Sequence, residues 1–317
     1  MRNRAAPTAF KWVKGHDGVK GNEQCDRLAK AGAALPIPDV LNLDIPDNFN
    51  VQGAKLSELT QTTAYRGIRS GRPPYHRPTS LGNILLVREA IMRYTGTDET
   101  DASIWLSIRK KPIHPKISQF LFKAIHGTFM IGDFWSHIQA VEDRRLCTVC
   151  GTTESMSHIL VQCQCRPTQV IWNLTRDIWP YNNIPWPDIN LGTILGCGCL
   201  SPPQPANQER PHRDMRRCGA SHLLQILLSE SAFLIWVLCC ERVIQERGHN
   251  DQEIRARWLR TINTRLTDNK IIATKLKRNK GFTNLVVSTW EHVLKKERDL
   301  PNNWINLREV LVGSGVR

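Results

Sequence analysis

The sequence predicts a mainly α-helical protein with a small zinc knuckle and, at its N-terminus, one short strand followed by a helix. Three observations carry that prediction. Apolar residues recur at helical spacing, most regularly at Ile117, Phe120, Leu121, Ala124 and Ile125 and again at Ile254, Trp258, Ile262 and Leu266. Cys147 and Cys150 form a C-x2-C pair followed by Gly151, and His158 with Cys163 supplies a second pair of metal-ligand types. Phe10, Trp12 and Val13 have strand character, Gly15, Gly18 and Gly21 mark a loop, and Asn22 is the expected N-cap of a helix running to Gly32.

Composition narrows the function. The 317 residues carry 43 Lys and Arg against 29 Asp and Glu, a net charge of +14, so a polyanionic partner is expected, with nucleic acid the natural candidate. Hydrophobic residues make up 41%, ample for buried cores. The polar, basic stretch from Met1 to Lys14 lacks the apolar segment of a secretory signal, so the ten cysteines are expected to be reduced or metal-bound inside the cell, in the nucleus or the cytoplasm. The most apolar run, Ala232 to Cys240, falls short of the ~20 residues that span a bilayer and reads as a buried helix.

The N-terminal stretch 11–33, KWVKGHDGVKGNEQCDRLAKAGA, suggests a reaction. Its helix has an apolar side of Cys25, Leu28, Ala29 and Ala33, which leaves Asp26 near the end that faces the loop carrying His16. Read alone, Asp26 also fits a surface carboxylate paired with Lys30, and His16 a solvated loop residue. The pattern WV-x-GH-x-G-x-x-GNE-x-x-D-x-LA-x-x-G resembles the last strand, histidine loop and last helix of type 1 ribonuclease H domains. The resemblance implies a truncated α/β remnant of that fold, with Asp26 a ligand of an active-site Mg or Mn ion and His16 assisting proton transfer or product release. In that family two metal ions act on the RNA strand of an RNA/DNA hybrid. Their other carboxylates come from elements that precede the matched segment. No acid lies between Met1 and His16, so catalysis is expected to need a preceding segment or another chain.

Leu35 to Gly53, with Pro36, Pro38 and Pro46, reads as a linker. Lys55 to Arg69 is a possible helix, Ser70 to Ser80 a Pro-rich basic stretch, and Ile84, Val87, Arg88 and Ile91 a further helical pattern. Phe129, Phe134 and Trp135 fit core packing better than base stacking, and Arg109, Lys110, Lys111 and Lys116 suit backbone contact.

At the knuckle, four protein ligands fill a tetrahedral zinc shell, so the metal is expected to be structural, with Cys165 a rival for Cys163. The flanks LFKAIHGTFMIGDFW and HILVQC, with Trp172, resemble the zinc-binding region ending many non-LTR retrotransposon reverse transcriptase polyproteins, fungal ones above all. A ribonuclease H domain precedes that region in them.

Ile171, Leu174 and Ile178 predict a helix, Cys197 and Cys199 a turn of free thiols, and Ser201 to Arg213 a linker. A second metal on Cys218 with His212 or His222 fits no standard spacing. Ser221 to Gln245 predicts a long apolar helix. The stripe from Ile254 is interleaved with Arg255, Arg257, Arg260 and Arg265 and followed by Lys275, Lys277, Arg278 and Lys280, a face that can lie along phosphates or stand solvated. Lys275 to Lys280 also reads as a weak nuclear localisation signal, and the tail from Trp290 to Leu307 as further helix.

The expected domains are a ribonuclease H-like fragment (1–34), linker and helices (35–100), a zinc-binding retroelement-type domain (101–185) and a basic helical domain (186–317). Three functions follow from these readings: hydrolysis of RNA in RNA/DNA hybrids, non-catalytic nucleic-acid binding, or a remnant with no activity.

Overall fold

Proline and short polar side chains set most of the helix starts. A computed structural model describes residues 18–37, 44, 59–71, 77–203, 214–276 and 279–313. The chain divides into two units, Met1–Pro73 and Pro74–Arg317.

In the first unit α1 spans Lys20–Ala33 and α2 spans Gln61–Ser70, and neither contains a buried residue. The expected N-cap Asn22 lies inside α1. The helix starts earlier because Gly18 turns the chain at φ 73° and Val19 offers its carbonyl to Glu23 N–H at 3.0 Å. Cys25 and Leu28 of the expected apolar side are exposed. The strand predicted at Phe10–Val13 and His16 lie outside the described residues.

The second unit holds α3 (Pro78–Thr95), α4 (Asp101–Ser107), α5 (Pro115–Ile125), α6 (Arg166–Asp177), α7 (Leu191–Leu195), α8 (Met215–Ile244), α9 (Asp251–Lys275) and α10 (Lys280–Trp290). Among the described residues there is no sheet, and pairing is confined to two isolated bridges. Pro78 and Pro115 occupy first turns, where a missing N–H costs nothing. Thr100, Asn190, Asn250 and Asn279 accept from first-turn N–H groups of α4, α7, α9 and α10.

Central to this unit is α8, which touches α5, α6, α7, α9 and α10. It is long and apolar enough to cross a membrane, yet 72% of its most apolar window is buried inside the protein, as a core helix requires. It begins six residues before the apolar pattern does, because Asp214 accepts from Arg216 N–H and starts the helix in a polar stretch. Gly219 lets α10 approach, since a Cβ there would stand 2.3 Å from Ser288 O. The stripes expected on α5 and α9 are buried throughout. Ser231 of α8 joins three helices, meeting Thr175 Oγ1 of α6 at 2.9 Å and accepting from Trp258 Nε1 of α9 at 2.9 Å. One core thus runs from α3 to α10, and the boundaries expected after residues 100 and 185 fall inside this unit.

Past Trp290 the tail is not the predicted helix. His292 and Lys296 have positive φ, and Leu294 pairs with Val312 across a bridge that brings Val310 and Val312 into the core. Leu307 remains 39% exposed.

Candidate metal centre

A short hairpin and one π-turn build the site. Leu146 bridges Thr153, Cys147 N–H donates to Thr152 O at 2.8 Å, and Gly151 N–H donates to Cys147 O at 2.8 Å. Gly151 takes φ 69°, a conformation that favours glycine, which closes the C-x2-C turn and points both thiols the same way. His158 to Gln162 then form a π-turn, closed by Cys163 N–H donating to His158 O at 2.7 Å. The wider turn carries Cys163 back to the hairpin.

The ligand atoms of Cys147, Cys150, His158 and Cys163 all lie within 4.8 Å of one another. Cys163 Sγ stands 3.7 Å from Cys147 Sγ and 3.7 Å from Cys150 Sγ. Zinc–sulfur bonds of about 2.3 Å at the tetrahedral angle require sulfurs about 3.8 Å apart. His158 Nδ1 faces Thr152 Oγ1 at 3.4 Å, whereas Nε2 is buried with no hydrogen-bond partner. A buried ring nitrogen left bare is costly unless it ligates. Gln164 N–H also donates to Cys150 Sγ at 3.4 Å. These observations fit a Cys3His site that could hold a metal ion such as zinc. Zinc held there would be closed off from substrate and would supply folding energy.

Cys163 is therefore in the cluster. Its rival Cys165 precedes α6 and contacts Thr168 Oγ1 at 3.2 Å. A hydrogen bond to Cys165 and burial push the Cys163 thiol above its ordinary range.

Two further residues flank the cluster. Arg242 of α8 approaches Cys147 Sγ at 3.8 Å, and its Nε and Nη1 are buried without partners. Glu154, also buried, lies 3.8 Å from Arg242 Nη2 and 4.0 Å from His158 Nε2. Burial raises the Glu154 carboxyl above the usual range. Three thiolates and one neutral imidazole would leave a net negative charge around a bound divalent ion, which the Arg242 guanidinium would offset. Spacing could not reveal Arg242, which is 95 positions from Cys147.

The basic face changes more. Arg265 is buried at 8% exposure, because it pairs with Glu230 at 3.1 Å and donates to Pro112 O at 2.8 Å. Arg257 donates twice to Glu241, at 2.6 and 2.8 Å, and together with His249 holds the Glu241 carboxyl down to about 2. Lys270 is buried, donating to Leu307 O. Arg255, Arg260, Lys275 and Lys280 are exposed, while Lys277 and Arg278 lie outside the described residues. Asp26 is half-buried on α1. His222, once weighed as a metal ligand, meets Thr289 Oγ1 at 3.0 Å, and burial lowers it to about 4.

Comparison with known proteins bears on the N-terminus. The family model described as RNase H matches residues 2–34, which supports a ribonuclease H-type origin for that segment and, with it, an association with nucleic acid. Neither curated proteins nor solved structures gave a match to the chain.

Proposed function

We propose that this is a retrotransposon-derived protein of ribonuclease H-type origin, built around structural zinc, which binds nucleic acid without cleaving it, in the nucleus or the cytoplasm. The observation that carries the reading is the closed cluster of Cys147, Cys150, His158 and Cys163, whose sulfur spacing and bare imidazole nitrogen fit tetrahedral zinc. Zinc fastens the hairpin to α6 and, through Arg242, to α8. Affinity for phosphates then falls to exposed cations such as Arg255, Arg260, Lys275 and Lys280.

The test is retention of RNA, DNA and RNA/DNA hybrid by the zinc-loaded chain across a salt series. Reversing Arg255, Arg260 and Lys275 to Glu should flatten the salt dependence by about two to three phosphate contacts. Arg257 and Arg265 are poor choices, since reversal there breaks internal ion pairs. Unchanged binding by the triple variant would overturn the assignment.

The family match to residues 2–34 favours a second reading, hydrolysis of RNA in hybrids with Asp26 holding Mg or Mn and His16 assisting. It needs carboxylates from outside the matched segment, on this chain or another. Metal-dependent cleavage by the purified chain that Asp26→Asn abolishes would establish it; no cleavage by either would dismiss carboxylates supplied by this chain itself.

A further inference from the structure

Beside the metal centre lies a cavity of about 440 Å³, walled by Phe129, Ile131, Trp135, Ile159, Trp236 and Val243. Its aromatic rings are positioned by other contacts. Phe129 and Trp236 have centroids 4.4 Å apart, and the Trp135 indole N–H donates to Met130 O at 2.9 Å. Phe120, which packs against Phe129 and Trp236, is 3% exposed and shows how an aromatic that serves only the core is enclosed. By contrast, Phe129, Trp135 and Trp236 are half-buried around open space.

The mouth is both apolar and cationic. Met130 is 61% exposed and Ile244 67%, more than an apolar side chain shows when it is packed. Lys123 and Arg144 are exposed there, and the Arg144 guanidinium stands 5.4 Å from the Trp135 ring centroid. Glu154 is the acid in the lining, and its carboxylate oxygens are buried. Flat apolar walls beneath two cations complement a ligand that is itself flat and carries phosphate on either side.

We propose that this cavity takes one unpaired nucleobase of a single-stranded nucleic acid. The base stacks on Trp135 or Trp236, and the adjoining phosphates meet Lys123 and Arg144. A paired base cannot enter, so the site distinguishes single strands from duplex. The proposal rests on the nucleic-acid binding proposed above and assigns it a second contact surface. An apolar peptide would fill the walls but leave both cations without a counter-charge.

The experiment measures binding of a labelled oligouridylate and of a duplex by the zinc-loaded full chain. Trp135→Ala should weaken the single strand about tenfold, the loss expected of one base–aromatic stack, and leave duplex binding unchanged. Met130→Glu, at an exposed position that does not bear on folding, should do the same by placing a carboxylate at the mouth. Arg144→Gln should lower the salt slope by about one contact. Zinc content confirms that each variant is folded. Single-strand binding unaffected by Trp135→Ala and Met130→Glu, yet lost when Arg255, Arg260 and Lys275 are reversed, overturns the cavity and spares the proposed function. No binding of either nucleic acid by the unaltered chain overturns both.

Discussion

In α1 the motif is dense and no residue is fully buried; around the metal centre the motif is sparse and most ligands are buried. From Trp12 to Gly32 the specified positions of a ribonuclease H pattern are matched, yet α1 buries none of its residues and leaves Leu28 72% exposed. The knuckle is defined by four residues, three of them buried, held among α6, α8 and the hairpin. A motif records ancestry; burial and unsatisfied polar atoms record what the chain still needs. His158 Nε2, buried and without a hydrogen bond, is placed as a metal ligand would be.

That contrast fails at once if zinc is dispensable. Structural zinc in small fingers contributes about 10–16 kcal/mol, so removing it, or replacing Cys163 with Ser, should unfold residues 146–165 and loosen the adjoining ends of α6 and α8. Hydrogen exchange should show fast amides there and slow ones retained around Trp258. Unchanged protection after complete metal removal would mean the cluster is only a set of buried thiols.

Next in size is a pH effect remote from the knuckle. Burial pushes the Glu230 carboxyl up to about 7, against the opposing pull of Arg265. The folded protein therefore holds a proton that the unfolded chain has lost. Stability from this group is full below pH ~4.5 and is lost as pH rises through about 7, a change of about 3 kcal/mol. Glu230→Gln should flatten the slope between about pH 4.5 and 7, the window these two pKa values span. Urea unfolding of both chains at each pH isolates Glu230, because proton–metal competition at the knuckle is common to the two. Parallel slopes would show that Glu230 is ionised throughout.

Arg242→Met sharpens the account of the centre itself. It keeps the aliphatic volume on α8 but removes the charge beside Cys147, and should weaken zinc about 10- to 100-fold in competition with a chelator. Rescue by Arg242→Lys would identify charge as the cause; an unaltered zinc affinity would leave Arg242 a packing residue.

How much of this was legible in the sequence depended on whether the signal was local. The stripes of α5 and α9 were, because apolar periodicity states which face is buried. The C-x2-C pair and His158 were also legible. Choosing Cys163 over Cys165 required the π-turn, which periodicity does not announce. Arg257 and Arg265 were misplaced on an open basic face because their partners, Glu241 and Glu230, lie on another helix. The tail was read as helix from its apolar residues, but positive φ at His292 and Lys296 turns it into a bridged return. Arg242, Glu154 and the cavity had no local signal at all.

The smallest expected effect returns to α1. A helix whose apolar side reads Cys25, Leu28, Ala29 and Ala33 would, in a packed domain, have that side covered, Leu28 included. Burial of a Leu side chain is worth about 1.5–3 kcal/mol, so Leu28→Ser in a packed helix would cost at least that much. With Leu28 exposed, the change should stay within about 0.5 kcal/mol, as surface substitutions do. Urea unfolding followed by tryptophan fluorescence and by hydrogen exchange in 20–33 reads the two units separately. A loss of about 2 kcal/mol or more would mean that α1 is covered by a further part of this chain or by a second copy. The matched segment would then belong to an assembled domain, and hydrolysis through Asp26 would become the leading reading.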